Sequence, residues 1–215
     1  MKRLLTALLL CTTPLYAQSP DLGAYLAGHF AASQGALPQA ADQMLKALRA
    51  DPGNEQLRRD TFMVTLLAGR PEAAEIGAKL RDSPVAALLT ADQKARAGDW
   101  RGAELDYAEL PKGAVTNALR PMLVAWAQLA QGEIDRALET LQTEDTDGKS
   151  AAYYRLHAAL IADLGHRDGL AEQLYTDAAR GLSTQNLRMT QLLASWQARS
   201  GHPDRARATL SLIHI

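Results

Sequence analysis

Six glycines divide this sequence into segments of nearly constant length, because they lie only 29 to 36 residues apart: Gly35, Gly69, Gly98, Gly132, Gly165 and Gly201. Five residues after each glycine stands a small or apolar residue: Ala40, Ala74, Ala103, Ala137, Leu170 and Ala206. A period of about 34 residues is typical of an array of helical hairpins. We therefore predict an all-α solenoid in which each glycine ends one helix and the small residue lets the next helix pack closely.

The composition favours helices over strands. Hydrophobic residues make up 47% of the chain and aromatic residues only 5%, and the abundant alanine and leucine lose little conformational freedom in a helix. The formal net charge of −1 gives no electrostatic argument for a nucleic-acid partner. After the first twenty residues, no segment reaches the roughly 18 consecutive apolar residues of a membrane span.

The clearest repeat covers residues 21–54, with one helix predicted over residues 21–34 and a second over residues 39–50. A glycine in the middle of the first helix permits the close approach of a neighbouring helix. The repeat is defined by the spacing of six residues: Gly28, Gly35, Ala40, Ala47, Leu48 and Pro52. This spacing resembles that of the tetratricopeptide repeat, closely within residues 21–54 and more loosely elsewhere.

The resemblance implies a right-handed α-α superhelix of about six tetratricopeptide-type hairpins over residues 18–209. The expected units are residues 21–54, 55–83, 84–117, 118–150, 151–186 and 187–209. The second unit is short because its outgoing helix is expected to close near residues 82–84, and Leu170 implies wider packing in the fifth. Pro121 is expected in the first turn of a helix, after a loose connection over residues 112–116.

In tetratricopeptide arrays the first helix of each hairpin lines a concave groove that holds partner peptides. Counting from the turn glycines places nine residues on this face: Tyr25, His29, Arg59, Met63, Asp92, Met122, Trp126, Arg155 and Arg188. Aromatic residues, methionine and arginine are enriched at interaction hot spots. Core helices also use the four-residue spacing of Met122 and Trp126, so the sequence leaves Trp126 in either the core or the groove. The arginines are either partner contacts or solvated surface residues.

The beginning of the chain has the pattern of an export signal. Two basic residues precede the largely apolar residues 4–15, and Ala17 provides a small residue for cleavage, which predicts a signal peptide over residues 1–17. Cys11 is the only cysteine and lies inside this segment. The residue before it, Leu10, is larger than a lipoprotein signal requires, so lipidation is disfavoured. The mature protein is expected to be periplasmic or secreted.

The end of the chain departs from the repeat pattern. Residues 210–215 match a translated transposase sequencing adapter. We therefore expect these residues to be a non-native tail and the natural protein to continue beyond residue 209.

The sequence contains no motif that indicates catalysis or cofactor binding. It has no His-Glu-x-x-His pair, no Gly-x-Ser-x-Gly elbow and no phosphate-binding Gly-Lys-Ser/Thr loop. Asp145 and Asp147 stand in a polar loop, where solvation is expected. Four histidines lack cysteine partners: His29, His157, His166 and His202. We predict neither an enzyme nor a bound metal or cofactor.

These observations predict a non-catalytic scaffold for protein–protein interaction, in which the concave groove takes a protein or peptide partner in an envelope complex. Two alternatives remain open. One is a tetratricopeptide lipoprotein of the outer-membrane assembly type, which lipidation at Cys11 would favour. The other is the superhelical N-terminal part of a cell-wall lytic enzyme, whose catalytic domain would follow residue 209.

Overall fold

The computed structural model describes residues 21–80, 82–143, 150–181 and 187–211. Within these ranges the chain forms twelve α-helices and no strand. The predicted leader and the predicted tail from residue 212 onward lie outside the described residues, as does the loop with Asp145 and Asp147. The helices are α1 (Leu22–Ser33), α2 (Leu37–Ala50), α3 (Glu55–Leu67), α4 (Glu72–Gly77), α5 (Pro84–Arg96), α6 (Trp100–Ala108), α7 (Ala114–Ala130), α8 (Ile134–Thr143), α9 (Ala151–Leu164), α10 (Asp168–Gly181), α11 (Leu187–Arg199) and α12 (Pro203–Ser211).

The helices fall into two compact units, one ending at Ile76 and the other beginning at Gly77. In the first unit α1 packs on α2, and α2 packs on α3. In the second unit each helix from α5 to α10 packs on the next one, and α11 packs on α12. Within each unit these helices thus contact their neighbours in sequence, which is the arrangement of a repeat array. The predicted all-α helical-repeat solenoid is confirmed.

The turn inside each hairpin is a Schellman motif, in which a left-handed residue ends the first helix. After α1, the Gly35 N–H donates to the Ala32 carbonyl at 3.0 Å and the Ala36 N–H donates to the Ala31 carbonyl at 2.9 Å. Gly35 has φ +73°. The residues with positive φ in the six turns, called the left-handed residues below, are Gly35, Gly69, Gly98, Gly132, His166 and Gly201.

The fifth turn differs from the prediction by one residue. Gly165 has φ −84° and caps α9, whereas His166 takes the left-handed conformation with φ +55°. Ala171, five residues after His166, is fully buried, so the interpretation of Leu170 as an enlarged packing residue is wrong. Gly165 serves close packing instead, since a Cβ there would lie 2.8 Å from Cγ2 of Ile134.

Small residues bring the helices of each hairpin together. A Cβ on Gly28 would lie 2.9 Å from Cγ of Met44, so α1 approaches α2 more closely than alanine would permit. The alanines that follow the turns are buried in five hairpins: Ala40, Ala103, Ala137, Ala171 and Ala206. In the second hairpin Ala73 is buried and Ala74 is half-buried. There α4 ends at Gly77, earlier than the predicted closure near residues 82–84.

The fourth hairpin begins earlier than predicted. The first helix, α7, starts at Ala114, so the expected boundary between residues 117 and 118 falls inside it and Pro121 is an interior residue. Two hydrogen bonds fix this early start to the end of the previous hairpin. The Thr116 hydroxyl donates to the Pro111 carbonyl at 2.7 Å, and Arg120 Nη2 donates to the Leu110 carbonyl at 2.7 Å. The helix therefore contains an interior proline, which lacks the backbone donor of the other residues.

Candidate functional site

The first helix of each hairpin presents equivalent residues at fixed positions before its left-handed residue. The residues six and ten positions before it form the set that we call the first-helix surface. In the first unit these are Tyr25 and His29 of α1 and Arg59 and Met63 of α3. In the second unit they are Leu88, Asp92, Met122, Trp126, Leu156, Leu160, Gln191 and Ser195.

In the first unit, side chains of this surface bridge α1 and α3. The rings of Tyr25 and His29 meet edge to face with centroids 4.4 Å apart. His29 Nε2 lies 3.8 Å from an oxygen of Asp60 on α3. Arg59 donates to Glu55 one turn earlier in α3, and Met63 stays 41% exposed. The surface therefore offers an aromatic pair on α1 and an exposed apolar side chain on α3.

A cavity of about 270 Å³ opens where the start of α1, the end of α2 and the start of α3 meet. Its walls combine apolar side chains with polar groups at the helix ends: Asp21, Leu22, Tyr25, Ala47, Asp51, Asn54, Gln56 and Leu57. Asp21 and Asn54 are the N-caps of α1 and α3, since their side chains accept from the N–H groups of Ala24 and Leu57. The Ala24 N–H and the adjacent Lys46 ammonium both lower the pKa of Asp21. Of the lining residues, the sequence analysis identified only Tyr25 as a site residue and Ala47 as a packing residue, because three separate helix ends form the cavity.

In the second unit, the equivalent contact joins α7 to α9. Trp126 Nε1 donates to His157 Nδ1 at 2.8 Å, and both side chains are half-buried. Burial lowers the pKa of His157, which favours the neutral ring that can accept this hydrogen bond. Met122 and Trp126 pack against the core cluster around Ile161 and Tyr175. Trp126 is thus shared between the core and the first-helix surface.

Three other predicted groove residues have different surroundings. Asp92 is half-buried and accepts from the Tyr107 hydroxyl of α6 at 2.7 Å. Counting from His166 instead of Gly165 assigns the buried Leu156 to the equivalent position, and the place of Arg155 in the groove stays a prediction. The Arg155 guanidinium lies beside Gly181 of α10, 3.9 Å from where a Cβ would stand. Arg188 is exposed near the start of α11.

A buried carboxylate that the sequence did not identify joins α6, α7 and α8. Glu104 is 5% exposed and accepts from Gln128 at 3.1 Å, from Gln131 at 2.9 Å and from Arg136. Burial by itself raises its pKa, but the two amide hydrogen bonds and the nearby guanidinium outweigh burial and hold the pKa below its usual value. Glu104 therefore has a structural role, because its hydrogen bonds connect the third hairpin to the fourth.

The described residues contain no group of three His, Cys, Asp or Glu side chains placed to hold a metal ion. His29 and His157 have the protein partners given above, and His166 and His202 are exposed in turns. No helix in this part of the chain is long and apolar enough to cross a membrane. The chemistry that these surfaces offer is the binding of apolar and polar side chains.

Comparison with solved structures identifies the architecture. The chain is similar to a tetratricopeptide repeat protein from Parabacteroides merdae, with a TM-score of 0.71 and 13% identity over 90% of this chain and 78% of that chain. It is also similar to PilF of Pseudomonas aeruginosa, with a TM-score of 0.55 and 16% identity over 90% of this chain and 88% of that chain. No protein-family model and no curated protein matches the sequence significantly. The predicted resemblance to tetratricopeptide repeats is confirmed for the fold.

Proposed function

We propose that this protein is a non-catalytic scaffold that binds a segment of a protein partner on the first-helix surface of its first unit. The observation that carries the proposal is the cavity of about 270 Å³ beside exposed apolar residues of α1 and α3. Protein interfaces derive most of their affinity from a few side chains that fill such pockets. The solved structures with this fold include a protein named for its tetratricopeptide repeats, which supports the same class of function.

The walls of the cavity suggest how a partner side chain would be held. Leu57 and Tyr25 provide apolar contacts, and the Asp21 and Asp51 carboxylates lie at the helix ends around them. Met63 on α3, which is 41% exposed, is a further apolar residue of the first-helix surface outside the cavity. A partner residue with an apolar stem and a polar end fits this distribution.

The proposal is tested by blocking the cavity and its apolar neighbour. The double variant Gln56→Trp with Met63→Asp changes two exposed side chains, so its melting temperature should stay near that of the wild type. A matched control, Leu105→Asp, alters a side chain that is 56% exposed on α6. In affinity capture from an extract of the source organism, followed by titration with the identified partner, the double variant should bind at least tenfold more weakly, which corresponds to about 1.4 kcal/mol. Equal binding by the wild type and the double variant would refute this site.

We also propose that the protein works in the cell envelope after export, as part of an envelope complex. The support is the predicted signal peptide over residues 1–17. Mass spectrometry of the natural protein should show an N-terminus at Gln18. A lipid attached to Cys11 would instead favour the lipoprotein alternative, and a retained Met1 would contradict export.

A further inference from the structure

The face of α1 that points away from α2 is apolar and exposed. Leu26 and Phe30, one turn apart, are 57% and 70% exposed, and the small residues Gly23 and Ala27 lie beside them on the helix. We call these four residues the leading face of α1. Two large exposed apolar side chains in succession on one helix are unusual unless something covers them.

The positions equivalent to Phe30 are buried in three later hairpins, all in the second unit. Phe30 lies five residues before its left-handed residue, and in α7, α9 and α11 this position is 1%, 0% and 3% exposed. Leu26 is the equivalent of Asp60, which lies near His29 of the preceding first helix, and of His157, which accepts from Trp126 of the preceding first helix. The leading face is therefore the array's own stacking surface.

In α5 the residues equivalent to Gly23, Leu26, Ala27 and Phe30 are Ala86, Leu89, Thr90 and Gln93. Thr90 and Gln93 are polar and exposed, whereas α1 has Ala27 and Phe30 at the same two positions. The leading face of α1 is therefore the more apolar of the two.

We propose that an amphipathic helix of a partner protein docks on the leading face of α1, in the place that a preceding first helix would occupy. The partner helix would carry large apolar side chains four residues apart, because this spacing is what neighbouring first helices present to each other. The proposal goes beyond the proposed function, since it concerns a different surface from the cavity.

The composition of the surface favours a protein helix over the other occupants. The helix α1 contains no Asp, Glu, Lys or Arg, and nearby Lys46 is paired with Asp21 at 3.0 Å, so cations for anionic lipid headgroups are not available. A partner helix that presents apolar side chains matches this lack of charge.

The array itself supplies a suitable probe. In α11 the equivalents of Phe30 and Leu26 are Trp196 and Leu192, which share a core cluster with Leu160 of α9. An aromatic residue and a leucine therefore stand at the same two positions in α1 and α11. We expect a fluorescein-labelled peptide with the sequence of residues 150–165, which includes α9, to bind the leading face of α1.

Fluorescence anisotropy with the purified full chain tests the proposal. We expect saturable binding of the peptide to the wild type and at least tenfold weaker binding to Leu26→Asp with Phe30→Asp. Phe30→Gln, which installs the residue found in α5, should also weaken binding. A control variant, Val115→Asp, changes a side chain that is likewise 70% exposed and should bind normally, and a peptide with Leu160→Asp should bind at least tenfold more weakly.

Several outcomes would overturn the proposal. These are the absence of saturable binding to the wild type, or equal binding to the wild type and Phe30→Gln. A wild-type dimer in light scattering that Phe30→Gln converts to a monomer would assign the face to a second copy of the chain. Binding to vesicles of phosphatidylethanolamine and phosphatidylglycerol that Phe30→Gln abolishes would assign it to a membrane. None of these results bears on the cavity, which the Gln56 and Met63 variants test separately.

Discussion

At the scale of single residues, two different requirements for glycine lie next to each other in the fifth turn. Five turns place glycine at the left-handed position, where a Cβ would cost free energy. In the fifth turn this position is His166, with φ +55°. The glycine before it has ordinary backbone angles and is needed because Ile134 of α8 packs directly against it. The chain therefore tolerates a strained histidine at a turn whose glycine serves packing.

We predict that His166→Gly stabilises the protein by about 0.5–1 kcal/mol, because it removes the left-handed strain at the cost of some unfolded-state entropy. The reverse change, Gly132→His, should destabilise by on the order of 1 kcal/mol. No atom lies within 4 Å of a Cβ at Gly132, so this effect reports the backbone alone. Urea denaturation measures both. A lower free energy of unfolding for His166→Gly would contradict the strain argument.

At the scale of helices, the contacts between hairpins are specified by polar groups as well as by small residues. Glu104 of α6 accepts hydrogen bonds from Gln128 of α7, from Gln131 at the C-cap of α7 and from Arg136 of α8. Burying this carboxylate is favourable only with all of its donors in place. The cluster therefore fixes which residues of three successive helices meet.

We predict that Glu104→Gln lowers the free energy of unfolding by about 1–3 kcal/mol at neutral pH, because an amide donor then faces the amide donors of Gln128 and Gln131. The native pKa of Glu104 is lowered, so the stabilisation from its charge is present above the unfolded-state pKa and is lost as the pH falls through the native pKa. The difference between wild type and variant should shrink in acid. Asp135→Asn, which alters an exposed partner of Arg167, should change stability by less than about 0.5 kcal/mol. A constant difference across this pH range would contradict the role of the charge.

At the scale of the whole molecule, stability is distributed along the array. In the second unit each helix from α5 to α10 packs on the next one, so a defect in one of its hairpins should weaken that hairpin and the adjacent ones most. The two compact units each have a core of their own, with Met44 and Leu57 in the first and Ile161 and Tyr175 in the second. Local damage should therefore remain local.

We predict that Ala137→Trp destabilises the second unit by about 1–3 kcal/mol, because Ala137 is fully buried in α8 and the site has no room for an indole. Hydrogen exchange should become faster in α7, α8 and α9. Exchange in α1 and α2 should stay within twofold of the wild type. Equal acceleration in both units would show that the array unfolds as a single cooperative body.

The sequence predicted the turns well because their chemistry is local. A glycine after an apolar helical segment is a recognisable stop signal, and α1 and α2 lie within two residues of their predicted bounds. The same stop signal gave the wrong left-handed residue in the fifth turn. Gly165 is there because Ile134 packs against it, and the sequence alone does not show this contact. The same one-residue difference assigns Leu156 instead of Arg155 to the position ten residues before the left-handed residue. Pro121 was predicted in the first turn of a helix but lies inside α7, because hydrogen bonds from Thr116 and Arg120 to the end of the previous hairpin fix an earlier start of this helix.

The sequence by itself determined the helical-hairpin period, the all-α class and most turn positions, because these depend on residues close together in the chain. Only the tertiary structure decided which side chains remain available to a partner. It formed a cavity from three separate helix ends, divided Trp126 between the core and the surface, and left Leu26 and Phe30 exposed. The exposure of a side chain depends on which residues of the neighbouring hairpin cover it. Helical periodicity shows on which face of its helix a residue lies, but it does not show what packs against that face.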